Sequence, residues 1–366
     1  MLRIAILGTR GIPANYGGFE TFAEELSVRL SRRGHQVTVY CRERHSAPEY
    51  RGVKLRYLPT IRHKYFDTIF HTWLSTLHVC GSRVSLPYDA LLYCNAANAI
   101  FTWLPRVLRM PVALNVDGLE RNRKKWNALA KAWYRLSEWL ATWMPNVIVT
   151  DADAIAKYYR ERYNKSSEMI SYGAELGGVE STDVLKTLGL EPRKYFLYVS
   201  RMEPENNALL VREAFEKVDT GMKLVLVGDA PYAADYIARV RDTKDPRIVI
   251  PGAIYGQGYR ELQSHCYAYI HATEVGGTHP ALIEAMGRGA LTLYLYTAEN
   301  HEVAHSVGFP FERDRDDLAD TITRVIGMPD PVAGKFRLDV MSRVDSRYSW
   351  DRVTDAYEKL LTGLRR

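Results

Sequence analysis

The stretch most suited to chemistry is His271-Ala-Thr-Glu-Val-Gly-Gly-Thr-His-Pro-Ala-Leu-Ile-Glu-Ala-Met286. Tyr267 to Ile270 reads as a short apolar strand, and Ala281 to Met286 is strongly helix-forming. Pro280 falls in the first helical turn, where its missing N–H costs nothing. Gly276 and Gly277 let a ligand approach the backbone. The N–H groups of the turn and the helix dipole make an anion site. Glu284, about one turn into the helix, is unsuited to phosphate but suits hydroxyls such as those of a ribose beside a diphosphate. A plain βα turn with a surface glutamate is the competing reading.

Three other patterns compete for attention. His301-Glu-Val-Ala-His305 fits the H-E-x-x-H zinc pattern, which needs both histidines on one face of a long helix. Gly308 and Pro310 end any such helix within a turn, and no third ligand is placed, so no metal site is expected. Asp151-Ala-Asp153 looks like a metal-binding D-x-D, but it follows a strand and opens a helix, which favours N-capping. His35, in a Gly-His-Gln turn, reads as a structural residue.

The elements that must position these residues alternate. Arg3 to Leu7 is an apolar strand ending at Gly8, followed by the glycine-rich loop Thr9-Arg-Gly-Ile-Pro-Ala-Asn-Tyr-Gly-Gly18. A helix is predicted from Phe19 to Arg33, with Phe22, Leu26 and Leu30 at helical spacing. Gln36 to Cys41 is the second strand of a βαβ unit, which implies a parallel sheet. Further strands fit at Lys54–Leu58, Ala90–Tyr93, Val112–Val116 and Val147–Thr150. The loop is not G-x-G-x-x-G, and no acidic residue ends the second strand, which disfavours a nicotinamide enzyme. A second block starts at Tyr195–Ser200 and continues through Lys223–Val227, Arg247–Ile250, Ala268–Ile270 and Leu291–Leu295. The expected linker is 171–175, and Trp350 to Leu364 reads as a final amphipathic helix.

A chain of 366 residues with 46% hydrophobic and 25% charged content suits two soluble α/β domains. No stretch approaches the ~18 uncharged apolar residues of a membrane span, and the N-terminal apolar run is short for a signal peptide. Cys41, Cys80, Cys94 and Cys266 lack paired spacing, which points to reduced thiols in a cytoplasmic protein. The net charge of +6 is uneven: residues 1–170 carry 25 Lys and Arg against 14 Asp and Glu, and the remainder carries 24 against 29. Six of the seven tryptophans also precede residue 145. A basic, aromatic first half suggests an anionic surface as partner. No recognition motif for nucleic acid is present.

Four segments carry a family resemblance: Gly-Gly-Phe-Glu-Thr (17–21), Arg-Gly-His-Gln-Val-Thr-Val (33–39), Val-Ser-Arg-Met-Glu-Pro-Glu-Asn-Asn (199–207) and Gly-Gly-Thr-His-Pro-Ala-Leu-Ile-Glu-Ala-Met (276–286). In combination the chain resembles family-four retaining glycosyltransferases of the GT-B fold. Gly8-Thr-Arg-Gly-Ile-Pro13 and Val116-Asp-Gly-Leu-Glu120 are most similar to a bacterial branch with rhamnosyltransferases of cell-surface polysaccharide assembly. The resemblance implies an α/β GT-B fold of two doubly wound Rossmann-like domains facing across a cleft. The first is the acceptor-side domain, 1–170, and the second, 175–345, binds the nucleotide sugar. A C-terminal helix within 346–366 would return to the first domain.

The resemblance also assigns roles. Arg201 matches the diphosphate arginine, where charge develops on the leaving group. Glu284 matches the glutamate that binds the nucleotide ribose, and Gly277, Thr278 and His279 supply donors before the helix. Gly17 and Gly18 match the glycine turn facing the donor phosphates. Asp117 aligns near the sugar and is, with Arg201, the catalytic candidate. Arg10 and Glu20 lie on the acceptor side. Two departures stand out: Asn206 takes the place of a second, lysine charge on the diphosphate, and Gly276 takes the place of the first of two glutamates, with Glu274 two residues earlier. His279 replaces a usual asparagine.

The implied reaction needs no cofactor and no metal. It moves a sugar, rhamnose by the branch resemblance, from a nucleotide-diphosphate donor to a saccharide or lipid-linked acceptor. A GT-B nucleotide-sugar epimerase and a non-catalytic membrane-surface scaffold are the alternatives. Residues 121–144 read as one amphipathic helix, with Trp126, Leu129, Trp133, Leu136 and Leu140 on one face and Lys124, Lys131 and Arg135 opposite. The basic cluster 121–125, joined by Arg62, His63, Lys64, Tyr65 and Phe66, is expected to face anionic lipid at the inner face of the cell membrane. The competing reading is a stripe that covers the first domain's sheet.

Overall fold

Two parallel sheets account for the alternation in the computed structural model, which describes residues 1–14, 17–61, 63, 66–82, 87–123, 126–230 and 233–365. The chain divides into one unit of Met1–Tyr172 with Trp350–Arg366 and a second of Gly173–Ser349. The boundary falls inside the stretch 171–175 expected as the linker.

The first unit has eight strands: β1 (Arg3–Leu7), β2 (Gln36–Cys41), β3 (Glu49–Tyr50), β4 (Val53–Tyr57), β5 (Ala90–Cys94), β6 (Val112–Asn115), β7 (Val147–Thr150) and β8 (Glu168–Met169). Their order is β3-β4-β2-β1-β5-β6-β7-β8, parallel except for the β3–β4 hairpin. Ile4 to Leu7 and Leu91 to Cys94 are fully buried, as expected of strands covered on both faces. The helices are α1 (Gly18–Arg32), α2 (Asp67–Gly81), α3 (Trp103–Val107), α4 (Ala128–Ala141) and α5 (Asp153–Tyr163). The chain moves one way across the sheet from β1 to β2 and the other way from β4 through β7. Right-handed crossovers therefore put α1 on one face and α2 to α5 on the other.

The second unit follows the same scheme: α6 (Asp183–Thr187), β9 (Tyr195–Val199), α7 (Ala208–Phe215), β10 (Lys223–Val227), α8 (Ala234–Arg241), β11 (Ile248–Gly252), α9 (Gly256–His265), β12 (Ala268–His271), α10 (Pro280–Gly287), β13 (Leu291–Leu295), α11 (Ala298–Ala304), β14 (Phe309–Phe311), α12 (Arg315–Ile326) and α13 (Asp330–Arg347). Its six strands are ordered β11-β10-β9-β12-β13-β14 and all run parallel.

The last helix, α14 (Trp350–Leu364), belongs to the first unit and packs beside α1. Arg33 Nη1 donates to Asp355 at 2.6 Å and to Glu358 at 2.7 Å. The Leu2 N–H donates to His35 Nδ1 at 3.1 Å, so His35 Nε2 is the donor to Glu358 at 2.7 Å. His35 thus ties the first strand, the turn before β2 and the last helix together, the structural role read from its sequence context.

One expected element differs. Residues 121–144 do not form one helix: a 3-10 turn spans Glu120–Asn122, and α4 starts only after Asn127, whose side chain accepts from the Ala130 N–H at 2.9 Å. Trp126 therefore precedes the helix. The buried face of α4 is Tyr134, Ser137, Glu138, Leu140 and Ala141, while Leu129 and Leu136 of the expected stripe are exposed. Glu138 on this face is held inside the unit by Arg121 and by the Tyr158 hydroxyl at 2.9 Å, beside the apolar Tyr134, Leu140 and Ala141.

Candidate functional site

In the second unit the candidate residues gather at the C-terminal ends of β9 and β12, where open α/β sheets place their ligands. Arg201 follows β9 with its guanidinium about a third exposed, 3.7 Å from a Glu203 carboxylate oxygen. Asn206, assigned to the donor from its position, is only 3% exposed. Its Nδ2 donates to the Arg201 carbonyl at 2.6 Å, and its own carbonyl accepts from the Tyr198 hydroxyl at 2.6 Å. Asn206 thus braces the Arg201 backbone.

The glycine turn after β12 leads into α10, with His279 at the N-cap and Pro280 first in the helix. Gly277 and Thr278 are buried under the turn, and His279 and Glu284 are half-buried. The first turn's N–H groups lack intrahelical acceptors and carry the positive end of the dipole. Tyr259 of α9 donates its hydroxyl to Glu284 Oε2 at 2.5 Å, and Gln263 Nε2 donates to the Tyr259 oxygen at 2.7 Å. Burial and the Glu284 charge push the Tyr259 phenol well above its usual range, so it remains a donor. This relay orients a carboxylate that can accept from ligand hydroxyls.

The two sequence departures in this turn are one feature. A Cβ on Gly276 would lie 2.3 Å from the His279 imidazole, so the ring occupies the side-chain space of position 276. The His279 ring also lies tilted against buried His271, centroids 4.8 Å apart, and burial lowers His271 to about pKa 3 and keeps it neutral. Glu274 does not stand in for a ligand carboxylate. It pairs with Arg313 at 2.6 Å and accepts from Asn207 Nδ2 at 2.9 Å.

In the first unit, Gly8 ends β1 at φ 91°, and a Cβ there would meet the Cys94 carbonyl at 2.4 Å. Gly17 caps α1 and Gly18 opens it. Glu20 is turned inward: it accepts from the Arg10 backbone N–H at 2.9 Å and is 6% exposed. Burial raises its pKa, opposed by the Arg10 N–H and the Arg42 charge. Glu24 likewise holds the Ala14 N–H at 2.6 Å. The expected acceptor-side carboxylate is thus a loop anchor, whereas the Arg10 residue itself is exposed.

Asp117 follows β6 at φ 59°, its N–H donating to Asn115 Oδ1 at 3.0 Å. The Tyr172 hydroxyl donates to its carboxylate at 3.3 Å. Burial and the nearby Glu120 raise its pKa, and Arg123 opposes them. Asn115 in turn donates to the Tyr357 hydroxyl of α14 at 2.9 Å. Sequence reasoning missed Tyr259, Gln263, Tyr172, Asn115 and Tyr357, because the links Tyr259–Glu284, Tyr172–Asp117 and Asn115–Tyr357 that tie them to the site join residues far apart in the chain. It also missed Arg42, buried beside Glu20 and paired with Asp67 at 2.7 Å.

The competing motifs resolve locally. α11 ends at Ala304, so His301 and His305 stand on different elements, and His301 Nδ1 meets the Tyr294 hydroxyl at 2.8 Å. Among the described residues no group of three His, Cys, Asp or Glu is placed to hold a metal. Asp153 opens α5, but the N-cap is Ala152, so neither aspartate of the D-x-D pattern occupies the cap position.

Residues 1–175 match a family described as a domain of unknown function, DUF1972, and residues 193–327 match the family of glycosyl transferases group 1. Solved structures resemble the whole chain. Sucrose-phosphate synthase from Thermosynechococcus elongatus superposes with a TM-score of 0.81 at 16% identity, covering 100% of this chain and 99% of that one. The chain has the GT-B fold, and its residues 193–327 are similar to the glycosyl transferases group 1 family. Anabaena HepE, solved with UDP and glucose, gives 0.80 at 15% identity over 99% of this chain and 100% of its own. WaaG, a glycosyltransferase involved in lipopolysaccharide biosynthesis, gives 0.73 at 13%, covering 98% and 100%. No curated protein matches. Arg201, Asn206 and the turn through Glu284 all fall inside the glycosyl transferase domain, and Asp117, Gly17, Gly18, Arg10 and Glu20 fall inside the DUF1972 match.

Proposed function

We propose that this protein transfers a sugar, with retention, from a nucleoside diphosphate donor to a saccharide acceptor, without a metal. The observation that carries the reading is Glu284, held by Tyr259 one turn into α10 and inside the glycosyl transferase domain. Its carboxylate accepts the ribose hydroxyls. The N–H groups before α10 and the Arg201 guanidinium take the diphosphate, whose negative charge grows as the glycosidic bond breaks. The UDP complexes of HepE support a nucleotide donor. Asp117 is the first unit's candidate for the reacting sugar, and its raised pKa suits a hydrogen bond to a sugar hydroxyl.

Rhamnose as the sugar and a lipid-linked acceptor rest on the resemblance of Gly8 to Pro13 and Val116 to Glu120 to the rhamnosyltransferase-containing branch. The involvement of WaaG in lipopolysaccharide biosynthesis is consistent with such an acceptor. The filling of position 276 by His279 supports a donor-sugar contact unlike that made by a glutamate.

The test is nucleoside diphosphate release across a panel of nucleotide sugars with lipid-linked acceptors. The anomeric configuration of the product is then read by NMR, with and without a chelator. Release dependent on both substrates, insensitive to chelation and giving a retained anomer, is expected. Arg201→Lys should lower turnover by more than about tenfold, because a point charge replaces a bidentate fork. Sugar-independent silence across the panel would sink the reading.

A further inference from the structure

We propose that the face of the first unit formed by α2, α3 and α4 docks onto an anionic phospholipid bilayer through interfacial tryptophans. Trp73 of α2 is 45% exposed, Trp103 of α3 46%, Trp139 of α4 50%, and Trp143, just past α4, 67%. Leu77 and Val107 lie exposed on the same helices. These helices are neighbours: α3 packs against α2, and Arg106 of α3 donates to the Trp143, Met144 and Pro145 carbonyls at 2.5, 3.3 and 3.2 Å. The topology places all three on one side of the sheet. Single exposed apolar residues are ordinary, but four exposed tryptophans on adjoining helices on one side of the sheet call for a partner.

The charges around the patch select the partner. Arg106, Arg109 and Arg135 are exposed, and none pairs with a carboxylate among the described residues. The carboxylates of the same helices are neutralised: Asp67 by Arg42, and Glu138, 2% exposed, by Arg121. The patch therefore combines indole rings with cations of one sign. Tryptophan favours the headgroup level of a bilayer, where its ring is apolar and its N–H stays wet. Arginine beside it is drawn to anionic headgroups. A second copy of this chain is the poorer occupant, because a two-fold contact would set these arginines against their own images.

This surface differs from the one expected from the basic cluster 121–125. Arg121 is bound to Glu138 and Tyr158, and Arg123 is 8% exposed and paired with Glu120, so both charges are answered inside the unit. Lys124, Lys125, Arg62, Lys64 and Tyr65 lie outside the described residues. Phe66, just before α2, is also exposed. No helix among the described residues is long and apolar enough to cross a membrane, so the contact proposed is peripheral.

The proposal deepens the lipid-linked part of the functional reading, and its test needs no sugar substrate. The full chain is sedimented with vesicles of phosphatidylcholine alone and with vesicles containing phosphatidylglycerol, at low and high salt. Tryptophan fluorescence is recorded alongside. Wild type should pellet with the anionic vesicles with a blue-shifted emission, and a fraction should persist at high salt. The double change Trp139→Ser, Trp143→Ser should lower partitioning by about tenfold, since it removes the apolar share of interfacial binding. Arg109→Gln with Arg135→Gln should lower it several-fold and remove most of the salt sensitivity. Both variants should keep the wild-type melting temperature and nucleoside diphosphate release with a soluble acceptor. Wild type remaining in the supernatant with both vesicles would overturn the proposal. So would a lipid-free dimer dissolved by the tryptophan changes, which would make the face a protein interface. Loss of product release in a wild type that still binds vesicles would refute the transferase reading and leave the docking face intact.

Discussion

The two glycine turns of this protein share a local plan but use their glutamates differently. β1 leads through Gly8, Gly17 and Gly18 into α1 with Glu20 in the first turn, and β12 leads through Gly276 and Gly277 into α10 with Glu284 in the second. Glu20 is folded back onto its own loop, where it satisfies the Arg10 N–H. Glu284 is held from a neighbouring helix by a phenol that leaves the carboxylate half-buried. A carboxylate near a helix start can therefore shape a loop or meet a ligand. The choice is made by what packs beside it, since an unsatisfied buried N–H claims the nearest acceptor.

The sharpest way to break that contrast is to remove each carboxylate. Glu284→Ala is expected to weaken nucleoside diphosphate binding by about 1.5–3 kcal/mol, the range for hydrogen bonds to a charged acceptor. Calorimetry reads the affinity, and the variant should stay folded although the Tyr259 hydroxyl loses its acceptor. An unchanged affinity in a folded variant would place Glu284 with Glu20 as a structural residue.

Glu20→Ala should do the reverse. Taking the Glu20 acceptor from the part-buried Arg10 N–H is expected to lower stability by about 1 kcal/mol, measured by denaturant unfolding, with nucleotide affinity retained. A variant of wild-type stability that loses affinity would show that Glu20 touches a ligand after all.

The Gly276 and His279 pair offers a smaller effect. Gly276→Ala forces the imidazole aside and should cost about 1 kcal/mol, a typical overpacking penalty. Adding His279→Ala should recover most of it, which a double-mutant cycle measures as coupling. Additive effects would separate the two positions.

The smallest expected effect lies where α14 meets the turn before β2. His35 and then Arg33 lower the Glu358 pKa through hydrogen bonds. A carboxylate lowered in the folded state stabilises fully above its unfolded pKa and loses that contribution as pH falls through the folded value. Glu358→Gln should therefore cost about 0.2–1 kcal/mol near neutrality, the range for a partly exposed pair. The difference from wild type should vanish in acid, as followed by unfolding at a series of pH values. A pH-independent difference would point to packing instead of charge.

Much of the fold was legible in the sequence. β1, β2, β7, β10 and β13 match their expected spans, because central strands of parallel sheets read as continuous apolar runs bounded by glycine and polar turns. The two-residue strands β3 and β8 and the edge strand β14 were missed, since such short segments carry too little pattern. In the candidate site, the turn through Glu284 followed from local spacing, and the position of Arg201 from the family resemblance of residues 199–207. The inward turn of Glu20, the burial of Asn206 and the ring of His279 over Gly276 did not, because each depends on which neighbour fills a given space.

What the sequence by itself determined is local: where the backbone must turn at glycine, where the central strands run, and which half of the chain is basic and tryptophan-rich. These follow from backbone sterics and composition, which act within a few residues. Only the tertiary structure decided which face of α4 is buried, with Glu138 on it held by Arg121. It alone joined Asn115 to Tyr357, so that the last helix supports the loop bearing Asp117. It also left tryptophans exposed on the adjoining helices α2, α3 and α4. Contacts between residues far apart in the chain arise from packing and charge pairing, and no local period encodes them.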